Sequence, residues 1–255
     1  MNPVISYVIA SVQRSGTHLL CSILESTGKV GRPGEHFLSK PGETWERRWE
    51  APSRIGYIEH VLRQNTGANG VFGTVIMWSY FDRMLELLRE IPAYSGLEAA
   101  ELLAAVFFQP KYIWMRRRNH VEQAVSWAIA CQTGVWTQKS EEISLPPAAP
   151  EFDFKVIDEW CNRIEAHDKG WENYFHQNHI EPLVIFYEDV VASHRATVER
   201  VLKFLELEFT PSVEISGPTV QKQATRMSKE WVARYLELKR GRNGRFARAV
   251  RRLRF

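Results

Sequence analysis

The sequence predicts an α/β protein whose parallel sheet is flanked by helices on both faces. Three observations predict this class: short apolar segments of strand length recur, segments with apolar residues at helical spacing follow them, and polar or glycine-containing turns separate the two. Strands that alternate with helices pair in parallel through right-handed crossovers. The 255 residues are enough to bury a full-sized core.

The composition is ordinary for a globular enzyme, with 44% apolar and 25% charged residues. The net charge of +3 is unevenly distributed, because eight basic and no acidic residues lie between Lys239 and Phe255. The rest of the chain holds 25 basic against 30 acidic residues. We therefore expect one domain over residues 1–237 and a basic tail over 238–255, and the net charge says little about an active site.

The sequence predicts neither a targeting segment nor a membrane span. No apolar stretch comes near the roughly 18 to 20 residues of a span, and no basic segment precedes the first apolar run. Cys21, Cys131 and Cys161 are widely spaced, which favours reduced thiols over a disulfide or a zinc site. We therefore expect a cytoplasmic protein.

The N-terminal segment predicts a strand, a polar loop and a helix that together bind an anion. The strand is Tyr7 to Ala10, the loop runs from Ser11 to Gly16, and Gly28 is expected to close the following helix in the left-handed conformation. Amides at a helix N-terminus lack intrahelical partners and carry about half a positive charge, so they attract anions. An ordinary βα turn is the alternative.

The side chains of this loop favour the anion site. Arg14 supplies a fixed cation, while Ser15 and Thr17 supply hydroxyl groups. Gly16 lets the backbone approach a ligand closely. The loop departs from the nucleotide-binding pattern Gly-x-x-x-x-Gly-Lys-Ser/Thr, because Thr17 stands in place of the lysine and Ala10 in place of the first glycine. Mg-ATP chemistry is therefore poorly supported.

The segment Gln13 to Thr17 resembles the 5′-phosphosulfate loop of sulfotransferases, whose donor is 3′-phosphoadenosine-5′-phosphosulfate (PAPS). More narrowly, the chain resembles the bacterial trehalose 2-sulfotransferase family over about residues 5 to 236. The resemblance implies a P-loop-like sulfotransferase fold, PAPS as donor, the bisphosphate PAP as product, and no metal. It also implies donor contacts for the loop residues Gln13, Arg14, Ser15, Gly16, Thr17 and His18.

A long loop rich in glycine, proline and charge is predicted from Lys29 to Glu50. Its acid–base candidates are Glu35 and His36, although a single loop carboxylate or imidazole is more often a solvated surface group. Residues Pro33 to Phe37 resemble the segment that carries the family's proposed general base, a glutamate, which implies that role for Glu35. His36 stands where an aromatic residue is expected, and it is the alternative base.

The middle of the chain predicts a strand at Val71 to Met77, a helix at Ser79 to Ile91 capped by Ser79, and a helix at about Gly96 to Phe107. The leucine and alanine content of the last helix suits packing against the sheet. The family usually carries a lysine near Val75, and this departure puts a lysine contact there in doubt.

Lys111 to Met115 predicts a third strand, and three consecutive arginines follow at its carboxyl end, where α/β folds bind ligands. Asn119 is the expected N-cap of the next helix, and Ser126 lies two helical turns later on the same face. A solvated basic turn is the alternative. The spacing resembles the 3′-phosphate-binding element of PAPS enzymes, which implies that Arg117, or else Arg118, binds the 3′-phosphate together with Ser126.

Further on, the sequence predicts a helix at Phe152 to His179, a strand at Pro182 to Tyr187, and a helix at Ser193 to Leu207. The pair Glu188-Asp189 at the end of that strand is either catalytic or a helix cap. Trp136, in a segment similar to the family, is a candidate to line the acceptor site or stack on adenine.

Residues Gln221 to Tyr235 resemble the family's C-terminal segment, which folds back over the nucleotide, and imply donor contacts for Lys222 and Arg226. The tail from Lys239 to Phe255 has apolar residues at three- and four-residue steps among arginines. This pattern predicts either a basic amphipathic helix on an anionic membrane surface or a solvated disordered tail. Nucleic acid is not the expected partner, and the resemblance implies a homodimer.

The predicted function is transfer of a sulfuryl group from PAPS to a hydroxyl of a carbohydrate or glycolipid. In this reading Glu35 accepts the hydroxyl proton, and Arg14 stabilises charge on the leaving phosphate. Two alternatives remain at the level of the sequence. One is a nucleotide-dependent kinase, and the other is a non-catalytic anion-binding module whose tail binds membrane or nucleic acid.

Overall fold

The computed structural model describes residues 2–38, 44–48, 50–136, 149–208, 215 and 226–252, without the side chains of residues 46, 48 and 242–252. Its four strands form one parallel sheet in the order β2-β1-β3-β4. The strands are β1 (Ile5–Ser11), β2 (Val71–Met77), β3 (Lys111–Arg116) and β4 (Leu183–Phe186). The α/β class with a parallel sheet is confirmed.

Helices lie between successive strands, as the sequence predicts, but the helices at Arg54–Asn65 and Tyr187–Ala192 are not among those predicted, and Tyr187 begins a helix where the sequence predicts the end of a strand. The described helices are α1 (Thr17–Glu25), α2 (Trp45–Arg48), α3 (Arg54–Asn65), α4 (Trp78–Arg89), a 3-10 helix (Pro92–Tyr94), α5 (Ala99–Phe107), α6 (His120–Thr133), α7 (Phe154–Gln177), α8 (Tyr187–Ala192), α9 (His194–Phe204) and α10 (Arg226–Arg252).

The strand order indicates a ligand site at the carboxyl ends of the two central strands. The chain leaves β1 for β2 on one side, and β3 lies on the other side of β1. The crevice where strand order reverses is therefore at the carboxyl ends of β1 and β3, where open α/β sheets bind ligands. The predicted anion loop follows β1, and the three arginines end β3 or follow it. A hydrogen bond from the Ser11 hydroxyl to the Met115 carbonyl, 2.7 Å, joins the two strand ends.

Two predicted helix caps are wrong. α1 ends at Glu25 with Ser26 as its C-cap, because the Ser26 and Thr27 hydroxyls donate to carbonyls of the last turn and end the helix before Gly28. Gly28 still adopts a positive φ of 66°, in the turn beyond. Met77 is the N-cap of α4, so Ser79 lies inside its first turn. Asn119 is confirmed as the N-cap of α6, because its side chain accepts from the Glu122 amide.

The chain forms two compact units, each described by itself. The first comprises Met1–Arg118 and Ala166–Val220, and the second comprises Asn119–Glu165 and Gln221–Phe255. The sheet belongs to the first unit. Its core includes an aromatic cluster in which α4 meets the C-terminal half of α7, with the Trp78 and Trp171 rings 5.2 Å apart. The Trp171 indole donates to the Ser11 carbonyl at 2.8 Å, which fixes the end of β1.

The second unit is helical in its described part. Trp127 of α6 stacks on Trp160 of α7 with ring centroids 4.3 Å apart. α10 packs through the buried Tyr235, whose hydroxyl donates to Asp158 at 2.6 Å, and Lys239 donates to both of these side chains. α10 continues as a helix to Arg252, through the predicted boundary at residue 238. The extent of the single predicted domain stays a prediction.

Candidate active site

The loop after β1 turns sharply through two residues with positive φ. Arg14 has a φ of 65° and Gly16 a φ of 90°, and α1 begins directly afterwards at Thr17. Ser15 is buried, and its hydroxyl donates to the Val12 carbonyl at 2.6 Å, which closes the turn. The Gln13 amide donates to the Ser79 hydroxyl at the start of α4. The predicted anion loop is therefore tied to the ends of two strands, and the first amides of α1 follow it.

Gly16 is required for packing as well as for its backbone conformation. A Cβ atom on Gly16 would lie 2.4 Å from Cδ2 of Tyr187, the first residue of α8. No side chain larger than hydrogen fits between this loop and the Tyr187 ring without movement of one of them. The Tyr187 ring, directly after β4, therefore packs against the anion loop at Gly16.

The three consecutive arginines have different surroundings. Arg116 pairs with the buried Asp168 at 3.1 Å. Arg118 forms a bidentate pair with Asp189 at 2.7 and 2.9 Å. Arg117 is buried, and its guanidinium carbon lies 4.7 Å from the centroid of the Tyr187 ring.

The Tyr187 ring connects Arg117 to the anion loop. Arg116 and Arg118 pair with carboxylates of the first unit, and the Tyr187 ring contacts both Arg117 and the position of Gly16. Arg117, the first of the two candidates for the 3′-phosphate, thus stacks on the ring that backs the loop. The acidic pair after β4 also acquires a structural role, because the Arg118 amide lies 3.1 Å from both carboxylate oxygens of Glu188.

The segment that carries Glu35 is fastened to the sheet. The Gly34 carbonyl accepts from the Val75 amide at 2.8 Å and from the Thr74 hydroxyl at 3.2 Å, both on β2. On the other side, the Tyr57 hydroxyl of α3 donates to the His36 carbonyl. The long loop predicted from residue 29 to residue 50 is therefore held by β2 and α3 around Glu35, and α2 interrupts it.

Glu35 lies beside the first turns of α1. Its Oε1 is 3.8 Å from Nε2 of His18, and burial raises the pKa of Glu35 to about 7. Burial, and then the charge of Glu35, raise the pKa values of Cys21 and Tyr80, so both stay protonated near neutral pH. Burial and then the Arg14 guanidinium lower the pKa of His18. Near pH 7 the carboxyl of Glu35 is therefore a group that exchanges protons at this end of the sheet.

His36 faces its own loop. Its Nε2 donates to the Arg32 carbonyl at 3.1 Å, and its ring lies 6.4 Å from that of Phe72. Burial lowers the pKa of His36, so it is neutral near pH 7. The two base candidates thus differ in surroundings: Glu35 lies by α1 and the anion loop, and His36 hydrogen-bonds to the backbone on the side of Arg32.

The remaining predicted site residues lie in the second unit or outside the described part. Ser126 is half-buried on α6. Arg226 begins α10, and its Nε donates to Glu230 at 2.8 Å. Lys222 lies outside the described residues. Trp136 is half-exposed after α6.

Sequence reasoning did not single out Tyr187 as a site residue. The structure places its ring against both Gly16 and Arg117. One signal could have found it: an aromatic residue at the carboxyl end of a parallel strand, immediately before an acidic pair, lies where such sheets bind ligands.

This end of the first unit combines an anion loop, buried and paired arginines, and a carboxyl group poised to exchange protons near pH 7. Such an arrangement can bind a phosphorylated donor and accept a proton from a nearby hydroxyl. Comparisons with known proteins give this arrangement a family.

A family model described as Stf0 sulphotransferase matches residues 6–237. The trehalose 2-sulfotransferase of Mycolicibacterium smegmatis is 28% identical, and the alignment covers 90% of this chain and 94% of that protein. The trehalose 2-sulfotransferase of Mycobacterium tuberculosis is 26% identical, with 90% and 93% covered. A solved sulfotransferase domain from the curacin biosynthetic pathway has a TM-score of 0.46 and 18% identity over 83% of this chain and 77% of that one.

The family resemblance noted in the anion loop is thereby confirmed, and the kinase and the non-catalytic module are not favoured. The family model extends from the second residue of β1 into α10 and so includes the loop, Glu35 and the three arginines. This chain belongs to the Stf0 sulphotransferase family.

Proposed function

We propose that this sulfotransferase moves a sulfuryl group from PAPS to a hydroxyl of a carbohydrate or glycolipid, with Glu35 as the general base. The observation that carries the proposal is the setting of Glu35, a largely buried carboxyl with a pKa of about 7 that lies 3.8 Å from His18 in the first turn of α1, the helix that follows the anion loop. The names of the two mycobacterial relatives, both trehalose 2-sulfotransferases, support a sugar as acceptor.

The residues of the anion loop fit a donor of this kind. The N-terminal amides of α1, the Arg14 guanidinium and the Thr17 hydroxyl suit an anionic group. PAPS, when bound, supplies the sulfuryl group. We assign contacts with its 5′ end to Gln13 through His18, and contacts with its 3′-phosphate to Arg117 and Ser126, with Arg118, Lys222 and Arg226 as further candidates.

The chain's own groups supply charge stabilisation and proton transfer. Arg14 and the loop amides stabilise charge that develops on the phosphate, and they do so best when they are held in place beforehand. Glu35 accepts the proton of the acceptor hydroxyl, an effect worth on the order of 10²–10⁴ in rate. A base whose pKa lies near the working pH combines a large ionised fraction with a strong tendency to take up the proton.

The substitution Glu35→Gln tests the role of the base. It keeps size and much of the hydrogen bonding but cannot accept the proton, so turnover should fall by roughly 10²-fold or more while affinity for 3′,5′-bisphosphoadenosine changes little. The measurements are single-turnover sulfuryl transfer from radiolabelled PAPS, over a panel of sugars and lipid extracts, and calorimetric titration with the bisphosphate.

His36→Ala is the matched control, because His36 is the neighbouring rival. Normal turnover in Glu35→Gln beside an inactive His36→Ala would transfer the role to His36. Full activity in both variants would show that the acceptor proton leaves by another route.

Donor recognition gives a second test that does not depend on the acceptor. Arg117 and Ser126 should add charge-assisted hydrogen bonds to the 3′-phosphate, typically worth about 1.5–3 kcal/mol each. Calorimetry should therefore show 3′,5′-bisphosphoadenosine binding at least about tenfold more tightly than adenosine 5′-phosphate. Equal affinities for the two nucleotides would show that Arg117 and Ser126 do not bind the 3′-phosphate.

A further inference from the structure

The junction of β4 and α8 contacts both ends of the proposed donor site. Tyr187 opens α8, and its ring occupies the space where a Cβ atom of Gly16 would lie. The guanidinium of Arg117 lies over the same ring at 4.7 Å. One side chain therefore touches the loop assigned to the 5′ end of the donor and the arginine assigned to its 3′-phosphate.

The chain around Tyr187 is locked to the end of β3. Both terminal guanidinium nitrogens of Arg118 donate to Asp189 at 2.7 and 2.9 Å, and the Arg118 amide donates to the Glu188 carboxylate at 3.1 Å. The Arg118 guanidinium holds the pKa of Asp189 below its usual range, so the pair stays charged near neutral pH. Two residues directly after Tyr187 thus bind the residue directly after Arg117.

This geometry constrains Arg117 more than Tyr187 alone could. The ring cannot move toward the loop, because Gly16 already lies against it. It cannot shift along the strand end without breaking the contacts of Glu188 and Asp189 with Arg118. A planar guanidinium that stacks on a fixed ring loses few orientations when it binds a ligand, so preorganisation favours binding.

We propose that Tyr187 is a positioning residue, which orients Arg117 toward the 3′-phosphate and holds it in a fixed relation to the anion loop. This inference rests on the proposed function, because it takes the bisphosphate as the ligand of Arg117. Tyr187 acts through Arg117 and needs no contact of its own with the donor.

A double-mutant cycle tests the proposal without any turnover. Affinity for 3′,5′-bisphosphoadenosine is measured by calorimetry in the full chain, in Tyr187→Leu, in Arg117→Met and in the double variant. Tyr187→Leu should weaken binding by roughly 3- to 30-fold, the range that one cation–π contact represents. In the Arg117→Met background the same change should cost less than about twofold, since contacting residues are not additive.

Tyr187→Phe is the matched control, because it keeps the ring and removes only the hydroxyl, and its affinity should stay within about twofold of the parent. Tyr187→Met gives a second apolar occupant if Tyr187→Leu does not fold, as judged by thermal unfolding.

The outcomes separate the two proposals. Equal losses from Tyr187→Leu with and without Arg117, no loss at all, or a loss in Tyr187→Phe as large as in Tyr187→Leu would each overturn the positioning role, while bisphosphate binding by the parent protein would leave the proposed function standing. A parent protein that does not bind the bisphosphate would overturn both.

Discussion

At the scale of single residues, the chemistry of Glu35 comes from its surroundings. Burial raises its pKa to about 7, and the pKa of His18, whose Nε2 lies 3.8 Å from the carboxyl, is lowered toward the neutral form of the imidazole. The other titratable groups that its charge influences, Cys21 and Tyr80, stay protonated over the physiological range. A carboxyl group of this kind is protonated in mild acid and becomes a base as the pH rises through neutrality.

This setting predicts the pH dependence of the reaction. Because the pKa of Glu35 is raised, the carboxyl holds its proton below about pH 7 and cannot accept one from the acceptor. The value of kcat/KM should therefore fall about tenfold per pH unit below that pKa and reach a plateau above it. The measurement is kcat/KM for the acceptor from about pH 3.5 to 9, with enzyme stability checked at each pH, at fixed ionic strength (about 0.1 M, where surface charges are partly screened).

The residual activity of Glu35→Gln provides the control for this profile, since it should lack the acid limb. A limb near the ordinary carboxyl value of 4.5 in the parent protein would place Glu35 in solvent during catalysis. A flat profile would show that ionisation of Glu35 does not control kcat/KM.

At the scale of elements, the site is made where strand ends meet. The loop between β1 and α1 lies against the first residue of α8, the end of β3 is tied to α8, and β2 holds the segment with Glu35. Each of these contacts joins parts of the chain that are distant in sequence. The strands and helices determine where the strand ends lie. The side-chain contacts at those ends determine how closely the loops that follow them approach one another.

The sequence predicts the elements better than these contacts. The strand Val71–Met77 is confirmed at both ends, and the turn residues Asn69 and Gly70 mark its start in the sequence. Helix α3 could also have been predicted, since Ser53 caps it and its buried residues Tyr57, Ile58, Val61 and Leu62 lie at helical spacing.

The packing of Tyr187 on Gly16 could not have been predicted, because no local pattern states which distant ring fills the space of a missing Cβ. The predicted end of α1 is wrong for a local reason. Hydroxyls of Ser26 and Thr27 compete for the final carbonyls, and this competition outweighs the usual preference for glycine at a helix end.

Two glycines with positive φ allow the packing of the loop to be measured. Gly16→Ala meets both backbone strain and the Tyr187 ring, whereas Gly28→Ala meets strain alone, since nothing lies within 4 Å of its Cβ position. Backbone strain should cost about 1–2 kcal/mol of unfolding free energy in either variant. Gly16→Ala should lose more, by roughly the 1–3 kcal/mol of an overpacked contact.

Urea unfolding followed by tryptophan fluorescence measures both losses. If the Tyr187 ring causes the excess, Tyr187→Leu should reduce the penalty of Gly16→Ala, because the two positions are in contact. Equal losses in the two alanine variants would mean that the loop can move away from the ring at no cost.

At the scale of the whole molecule, the sheet and the basic tail belong to different units. The tail continues α10 as far as Arg252, so its backbone is helical over most of its length. Among the helices in the described ranges, none is both long enough and apolar enough to cross a membrane. A basic helix with spaced apolar residues can still lie on an anionic surface.

We therefore predict that the tail adds membrane affinity. Each basic residue near an anionic surface contributes about 1 kcal/mol, so loss of the tail should abolish most binding to vesicles that contain phosphatidylglycerol. Truncation after Arg240 is the suitable variant, because it keeps Lys239, which donates to Asp158 and Tyr235. Co-sedimentation of full-length and truncated chains with these vesicles is the measurement.

A variant in which Arg242, Arg245, Arg248, Arg251, Arg252 and Arg254 are all replaced by glutamine separates charge from length. It should bind as weakly as the truncated chain, and binding by the full chain should fall as salt is raised. Equal sedimentation of the full-length and truncated chains would leave the tail without a role at membranes.

The hydrogen bond between Gly34 and Val75 occupies a backbone group on the outer side of β2. β2 is the outermost strand on its side of the sheet, and exposed strand edges offer unpaired backbone groups to other chains. Here the Val75 amide is taken by Gly34, the Val75 carbonyl by the Tyr80 hydroxyl, and the Val71 carbonyl by the Gly67 amide. The segment that carries Glu35 therefore also covers part of this edge, at Val75. Shortening the segment would expose the Val75 amide as a template for strand addition, so substitutions of its side chains are safer for the fold than changes of its length.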